Sequence, residues 1–396
     1  MLLQMLVFVS GVDIVEKAEK ITAFGKNDSA CLKGVAILML MVFHCFGDAG
    51  RFKGYEFNFS PFGQDLFVDL ALYCRICVSI FAFISGYGLY LSVKNKTNSI
   101  NETNKWVALR YIKTLSGFWI WYVICFVFMY FFNGLPKEIY FGKGIVRGSV
   151  YVLFDFLGLG KVFGTPLLNS AWWYMGAAVV YIALMPLLVR WTDKWGWFSL
   201  FTAIVIIPRL ILDNEYVGTS SIITFILPVY FGALFAEFGL FEKIERISVS
   251  KNKFLNEFLL LFGGILVILV SIYIWIRVPY KVLWEYSFGV APVLLIIFLN
   301  RFVFRQGGRL RKSINTVFSF FGKYSMDIYI FHTFIRAHIL RDFLYSMGYP
   351  VLTILSLFFI SLVVALVFGL FKKLIKYDGF ISWLEKKAMS LFPASN

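Results

Sequence analysis

The sequence predicts an all-α polytopic membrane protein, a bundle of about ten transmembrane helices with both termini cytoplasmic. Composition, the spacing of apolar runs and the placement of basic residues lead there. Of 396 residues, 60% are hydrophobic and only 15% charged, against roughly 25% charged in soluble domains. Mean hydropathy is +0.77. Lipid is therefore the solvent for most of this chain, and its 46 Phe, 21 Tyr and 11 Trp can furnish the interfacial belts. The same composition excludes disordered, collagen-like and coiled-coil chains.

Apolar runs fall at 34–50, 70–93, 111–132, 171–189, 197–212, 221–239, 255–276, 283–300, 316–337 and 350–371. Several are shorter than the roughly 20 residues of a full span, so flanking residues must be recruited or the bilayer thinned. The opening MLLQMLVFVS is too short to span and has no basic region before it, which makes an interfacial or disordered lead the expectation rather than a cleaved signal. The chain divides into a lead at 1–30, a membrane domain at 31–372 and a basic tail at 373–396.

With the N-terminus inside, 25 Lys and Arg fall on the cytoplasmic side and 12 on the other, and Lys323 lies within a helix. This bias places both termini inside. It also explains the net charge of +15 without nucleic acid. The segment near 145–160, interrupted by Asp155 and by glycines at 144, 148, 158 and 160, is expected to be re-entrant or interfacial. Counting it as a span would move the basic stretch RFVFRQGGRLRK outside. Five cysteines form no framework beyond a lone C-x-x-C at Cys74 and Cys77, and no metal is expected.

Ionisable side chains within spans are costly and so mark candidate sites. Lys33 and His44 are eleven residues apart, about 16 Å of rise and some 20° beyond three turns, so they share a helix face. A cation at one end and an imidazole deep in the bundle suit anion holding and proton transfer. Snorkelling of Lys33 and a packing hydrogen bond from His44 are the structural alternatives. Asp48, four residues on, is the expected orienter of the His44 ring. Ser325, Tyr329 and His332 form an i, i+4, i+7 stripe that can line a cavity opposite His44 or glue helices together. Asp327 lies off that stripe and is expected to pair with Lys323. Glu285 and Arg209, near helix ends, are weaker candidates. FISGYGLY, with Ser85, permits close helix approach, and NSAWWYMG, with Trp172, first reads as an aromatic anchor.

DSACLKGVAILMLMVFH resembles the opening signature of the acyltransferase 3 family of integral membrane acyltransferases, where a basic residue precedes Gly and a histidine follows eleven positions on. FAFISGYGLYLS is similar to the second-helix motif, LRYIK at 109–113 to the basic pair of the third helix, and SAWWYMGAAVVYIALMPLL to the Trp-containing helix ending in Pro. KYSMDIYIFH resembles the late S-x-x-x-Y-x-x-H element. Lys33 stands where the family carries Arg, Ser79 where an acidic residue is usual, and the Pro usual after the third-helix pair is missing.

The resemblance implies a ten-helix bundle in the plasma membrane that transfers acyl groups other than amino-acyl groups. The donor would be acetyl-CoA or another acyl-CoA, and the acceptor a hydroxyl of a cell-envelope glycan, polysaccharide or lipid-linked sugar. On that reading His44 is the general base, Lys33, Arg110 and Lys113 hold CoA phosphates, and Ser85, Trp172, Ser325, Tyr329 and His332 position substrates. The implied partners are the lipid bilayer and these two substrates, with a homo-oligomer left open. A transporter or flippase for a polar lipid or amphipathic solute is the alternative the intramembrane His and Lys leave open.

Overall fold

The computed structural model describes residues 24–97, 99–142, 144–211, 221–279, 282–304 and 308–392. The first ten residues and most of the 1–30 lead lie outside them, as do the last four of the tail. The structure is all-helical, 85% helix, with no strand among the described residues. Seven helical stretches there are long and apolar enough to cross a membrane: Lys26–Phe46, Gln64–Lys96, Ile100–Phe132, Ser170–Ile211, Lys253–Arg277, Glu285–Phe304 and Pro350–Leu374.

Helix α1 spans Lys26–Phe46. It starts eight residues before the apolar run, where the Gly25 N–H donates to the Asp28 carboxylate at 2.8 Å. It stops at Gly47, after which Asp48 is extended and caps a 3-10 turn over Ala49–Phe52. Helices α2 (Gln64–Tyr73) and α3 (Cys77–Val93) are joined by the 3-10 turn Cys74–Ile76. Helix α4 runs over Ile100–Phe132, its first turns polar, so the helix extends beyond the apolar run that announces it. Such differences arise because hydropathy reports the lipid-facing length, whereas the backbone ladder continues into water.

Residues 145–160 hold α5 (Ile145–Phe156), which at 12 residues rises only about 18 Å and cannot cross a core of about 30 Å. Its end is pinned by buried Asp155, which accepts from Tyr140 Oη, Thr165 Oγ1 and the Leu168 N–H. Helix α6 (Trp173–Phe201) breaks at Gly196, whose φ of 80° is open chiefly to glycine. Trp191 Nε1 donates to Ser199 Oγ at 3.0 Å across the break. Eight residues of straight helix would separate them by about 12 Å, so the chain turns back here.

Apart from helices of four to six residues, the remaining helices are α7 (Ile222–Phe238), α8 (Lys253–Arg277), α9 (Ala291–Phe298), α10 (Gly308–Phe334), α11 (Pro350–Leu374) and α12 (Tyr377–Ser390). α10 continues into a π-helical segment, Ile335–Ile339. α8 leaves Phe254, Phe258, Phe262 and Leu266 exposed, a surface that only lipid covers at low cost.

Glycines bring two helix pairs into backbone contact. A Cβ on Gly34 would fall on the Phe318 carbonyl, and one on Gly322 on that of Ala30, so α1 and α10 touch without side chains between them. They run parallel: Cys31 meets Asn315 and His44 meets His332 in nearly constant register. Gly86 and Gly232 do the same for α3 and α7, with Tyr90 and Lys94 reaching Glu237 further along.

Candidate active site

The parallel α1–α10 crossing fixes the central feature. His44 lies ten residues beyond Gly34 and His332 ten beyond Gly322, so the two imidazoles reach the same depth on facing helices. His332 Nε2 is 2.9 Å from His44 Nδ1. His332 is completely enclosed, whereas His44 keeps part of its surface open.

Hydrogen-bond partners assign the protons. His332 Nδ1 lies 2.9 Å from the Tyr329 carbonyl and 3.1 Å from that of Ile328. Carbonyls only accept, so Nδ1 carries the hydrogen, and Nε2 of the neutral ring is left with a lone pair. That lone pair accepts from His44 Nδ1–H. His44 Nε2 is then the unprotonated nitrogen, on the ring that remains open. The arrangement is a base held in one tautomer by a buried partner, the logic of a His–carboxylate pair with imidazole in the carboxylate's place.

Asp48 does not take that part. Its carboxylate accepts from the Gly50 N–H at 2.8 Å, and it is exposed at the head of the turn after α1. An Asx cap of this kind is the usual use of Asp just beyond a helix end.

Of the α10 stripe, only His332 is shown against His44. Ser325 Oγ donates to Gly322 O of its own helix at 2.8 Å, and Tyr329 Oη donates to the Ala171 carbonyl. Trp172 is buried rather than interfacial, its Nε1 donating to Ile330 O at 2.9 Å. Both contacts tie the start of α6 to α10. Beside Tyr329 stands Tyr174, whose enclosed hydroxyl neighbours Ser85. Tyr174 lies inside NSAWWYMG, where the sequence singled out only Trp172.

At the other end of α1, the half-buried Lys33 ammonium feels the field of Arg110 from α4. Arg110 Nε is buried with no hydrogen-bond partner. These two cations are brought together, while Lys113, three residues on, is exposed.

Asp327 does not pair with Lys323. It accepts from Trp121 Nε1 at 2.7 Å and lies 3.3 Å from Lys372 Nζ, while Lys323 sits over the Tyr324 ring. Helical spacing offers the local partner, but tertiary packing supplies a better one from α11. Arg209 and Glu285 lie 3.6 Å apart and are a pair rather than two solvated groups.

Compared with known families, residues 28–370 match the acyltransferase 3 profile, described as an acyltransferase domain. Neither curated proteins nor solved structures contain a match to the chain.

Proposed function

The chain belongs to the acyltransferase 3 family, and from that premise we propose that it transfers an acetyl group from cytoplasmic acetyl-CoA to a hydroxyl of a cell-envelope glycan or lipid-linked sugar. The observation that carries the proposal is the His44–His332 contact, which leaves His44 Nε2 as an accessible base.

The acceptor hydroxyl gives its proton to His44 Nε2 as its oxygen attacks the thioester carbonyl. The tetrahedral oxygen receives a hydrogen bond from Tyr174 Oη, the enclosed donor beside Ser85. Collapse breaks the C–S bond, and the proton on His44 returns to the departing CoA sulfur. His332 stays neutral, keeping the tautomer and stabilising the transient imidazolium. Lys33 and Arg110 hold the CoA phosphates, with Lys113 at the exposed rim. The roughly 16 Å of helix between Lys33 and His44 suits the pantetheine arm that separates phosphate from thioester.

Ten crossings with both termini inside accord with this direction of delivery. The seven long stretches become ten when Gly196 divides one of them and α7 and α10 are added. Parallel α1 and α10 require an odd place for α10 in the order, which leaving α5 uncounted provides. The expected home is the plasma membrane.

The test supplies purified protein with labelled acetyl-CoA and an envelope glycan extract. Label entering glycan with wild type and not with His44→Ala is the expected result. Equal transfer by His44→Ala would remove the base from the mechanism, and glycan flux in liposomes without thioester consumption would point to a transporter.

A further inference from the structure

Three arginines lie close enough for their charge to reach the histidine pair, and none of them is used by the reaction above. Arg51 follows α1, Arg75 lies in the 3-10 break between α2 and α3, and Arg336 is one helical turn beyond His332. The guanidinium carbons of Arg51 and Arg75 lie 4.9 and 5.1 Å from the Phe43 ring centroid. That ring in turn packs edge-on to His44 at 5.2 Å. The fields of all three arginines reach His44.

Such a cluster is unfavourable when left alone. Like charges repel most where water is scarce, and among the described residues no carboxylate lies within ion-pair distance of Arg51 or Arg336. Asp48 is the acidic group whose field reaches Arg51. Burial first, and then the Arg336 cation, pull the Arg51 pKa below its ordinary value. Arg336 donates through Nη1 to Tyr345 Oη at 3.4 Å, but its Nε is buried with no partner. An enclosed guanidinium nitrogen without an acceptor, among like charges, is a fork awaiting an oxyanion.

We propose that Arg51, Arg75 and Arg336 form an oxyanion-binding subsite for the acceptor, so that the preferred acceptor carries a carboxylate or phosphate close to the hydroxyl being acylated. The assignment rests on the acyl-transfer reading for its role. CoA phosphates do not fit here, because with the thioester carbonyl at His44 the pantetheine arm carries them away to the Lys33 end. An anion on the acceptor, within about one sugar ring of its reacting oxygen, meets both requirements. It would also orient the hydroxyl toward His44 Nε2 by a two-point grip.

The experiment uses the full-length protein in neutral detergent, labelled acetyl-CoA, and octyl glucoside, octyl glucuronide and octyl glucoside 6-phosphate as probe acceptors. Wild type should favour at least one anionic probe over octyl glucoside by tenfold or more in kcat/KM, and the favoured probe distinguishes carboxylate from phosphate. Arg51→Gln and Arg336→Gln should each lower that ratio at least fivefold, with Arg336→Lys between them and wild type. A wild-type ratio near one, or a ratio unchanged in both Gln variants, overturns the proposal. The wild-type ratio needs no variant, so a variant that fails to fold leaves the test intact. Thermal stabilisation of wild type by the same probes without donor separates the two readings. Saturable stabilisation by an anionic probe alone, with no transfer to any probe, keeps the subsite and removes the transferase. Transfer to octyl glucoside with neither preference nor stabilisation does the reverse.

Discussion

Replacing His332 by Phe tests the tautomer argument most directly. The substitution keeps an aromatic ring in an enclosed site and removes the acceptor 2.9 Å from His44 Nδ1. The Ile328 and Tyr329 carbonyls lie four and three residues back on the same helix, so they retain their ladder partners and are not orphaned. What His44 loses is a single hydrogen bond, one that becomes charge-assisted when it takes the proton. Hydrogen bonds to charged groups contribute about 1.5–3 kcal/mol, so kcat should fall by about 10- to 150-fold. KM for acetyl-CoA should change little, since His332 is distant from the Lys33 end. Because His332 acts only through His44, the double variant with His44→Ala should be no slower than His44→Ala alone. His332→Gln, which returns an acceptor oxygen, should recover part of the loss. Radiolabel transfer under saturating acetyl-CoA gives kcat, and a melting curve in the same detergent checks the fold. Wild-type activity in His332→Phe, or effects that multiply in the double variant, would refute the reasoning.

Three further outcomes follow from the packing and the donor end. Gly34→Ala and Gly322→Ala place a methyl on a backbone carbonyl of the facing helix and should each destabilise by about 1–3 kcal/mol in detergent melts. Gly263→Ala, where a Cβ meets nothing within 4 Å, should be neutral or stabilising by up to about 1 kcal/mol. Lys33→Met and Arg110→Gln should each weaken acetyl-CoA binding by about tenfold or more, from the loss of one charged contact. Titration calorimetry reads this, and unchanged affinity would remove that residue from the donor site. Lys372→Met leaves Asp327 with its Trp121 Nε1 contact and should cost about 1–3 kcal/mol, whereas Lys323→Met should cost less than about 0.5 kcal/mol.

The helical class and the Lys33–His44 face were legible because hydropathy and helical period are properties of one segment. Contacts between segments were not. The i, i+4, i+7 stripe put Ser325, Tyr329 and His332 on one face, yet nothing in that spacing says that Ser325 turns back to Gly322 while His332 crosses to His44. That choice depends on the closeness and direction of α1 and α10, which the glycines at 34 and 322 set together. Asp48 illustrates the opposite error. At i+4 from His44 it looks like a local orienter, but helix α1 ends at Phe46, so helical spacing no longer applies and the carboxylate caps the next turn.

The same limitation hid the arginines. Arg51, Arg75 and Arg336 sit near the ends of three separate apolar runs, where a loop count sees only topology-neutral charge. One sequence clue was available: Arg336 stands four residues after His332, on the same helix face. Charge at a span's end is ordinarily explained by water or lipid headgroups. It becomes a statement about chemistry only when several ends converge on one intramembrane imidazole. Here the convergence follows from parallel packing of α1 and α10 and from the break at Cys74–Ile76. A change that straightened that break should therefore alter acceptor preference before it alters donor affinity, because Arg75 would leave the cluster while Lys33 and Arg110 stayed in place.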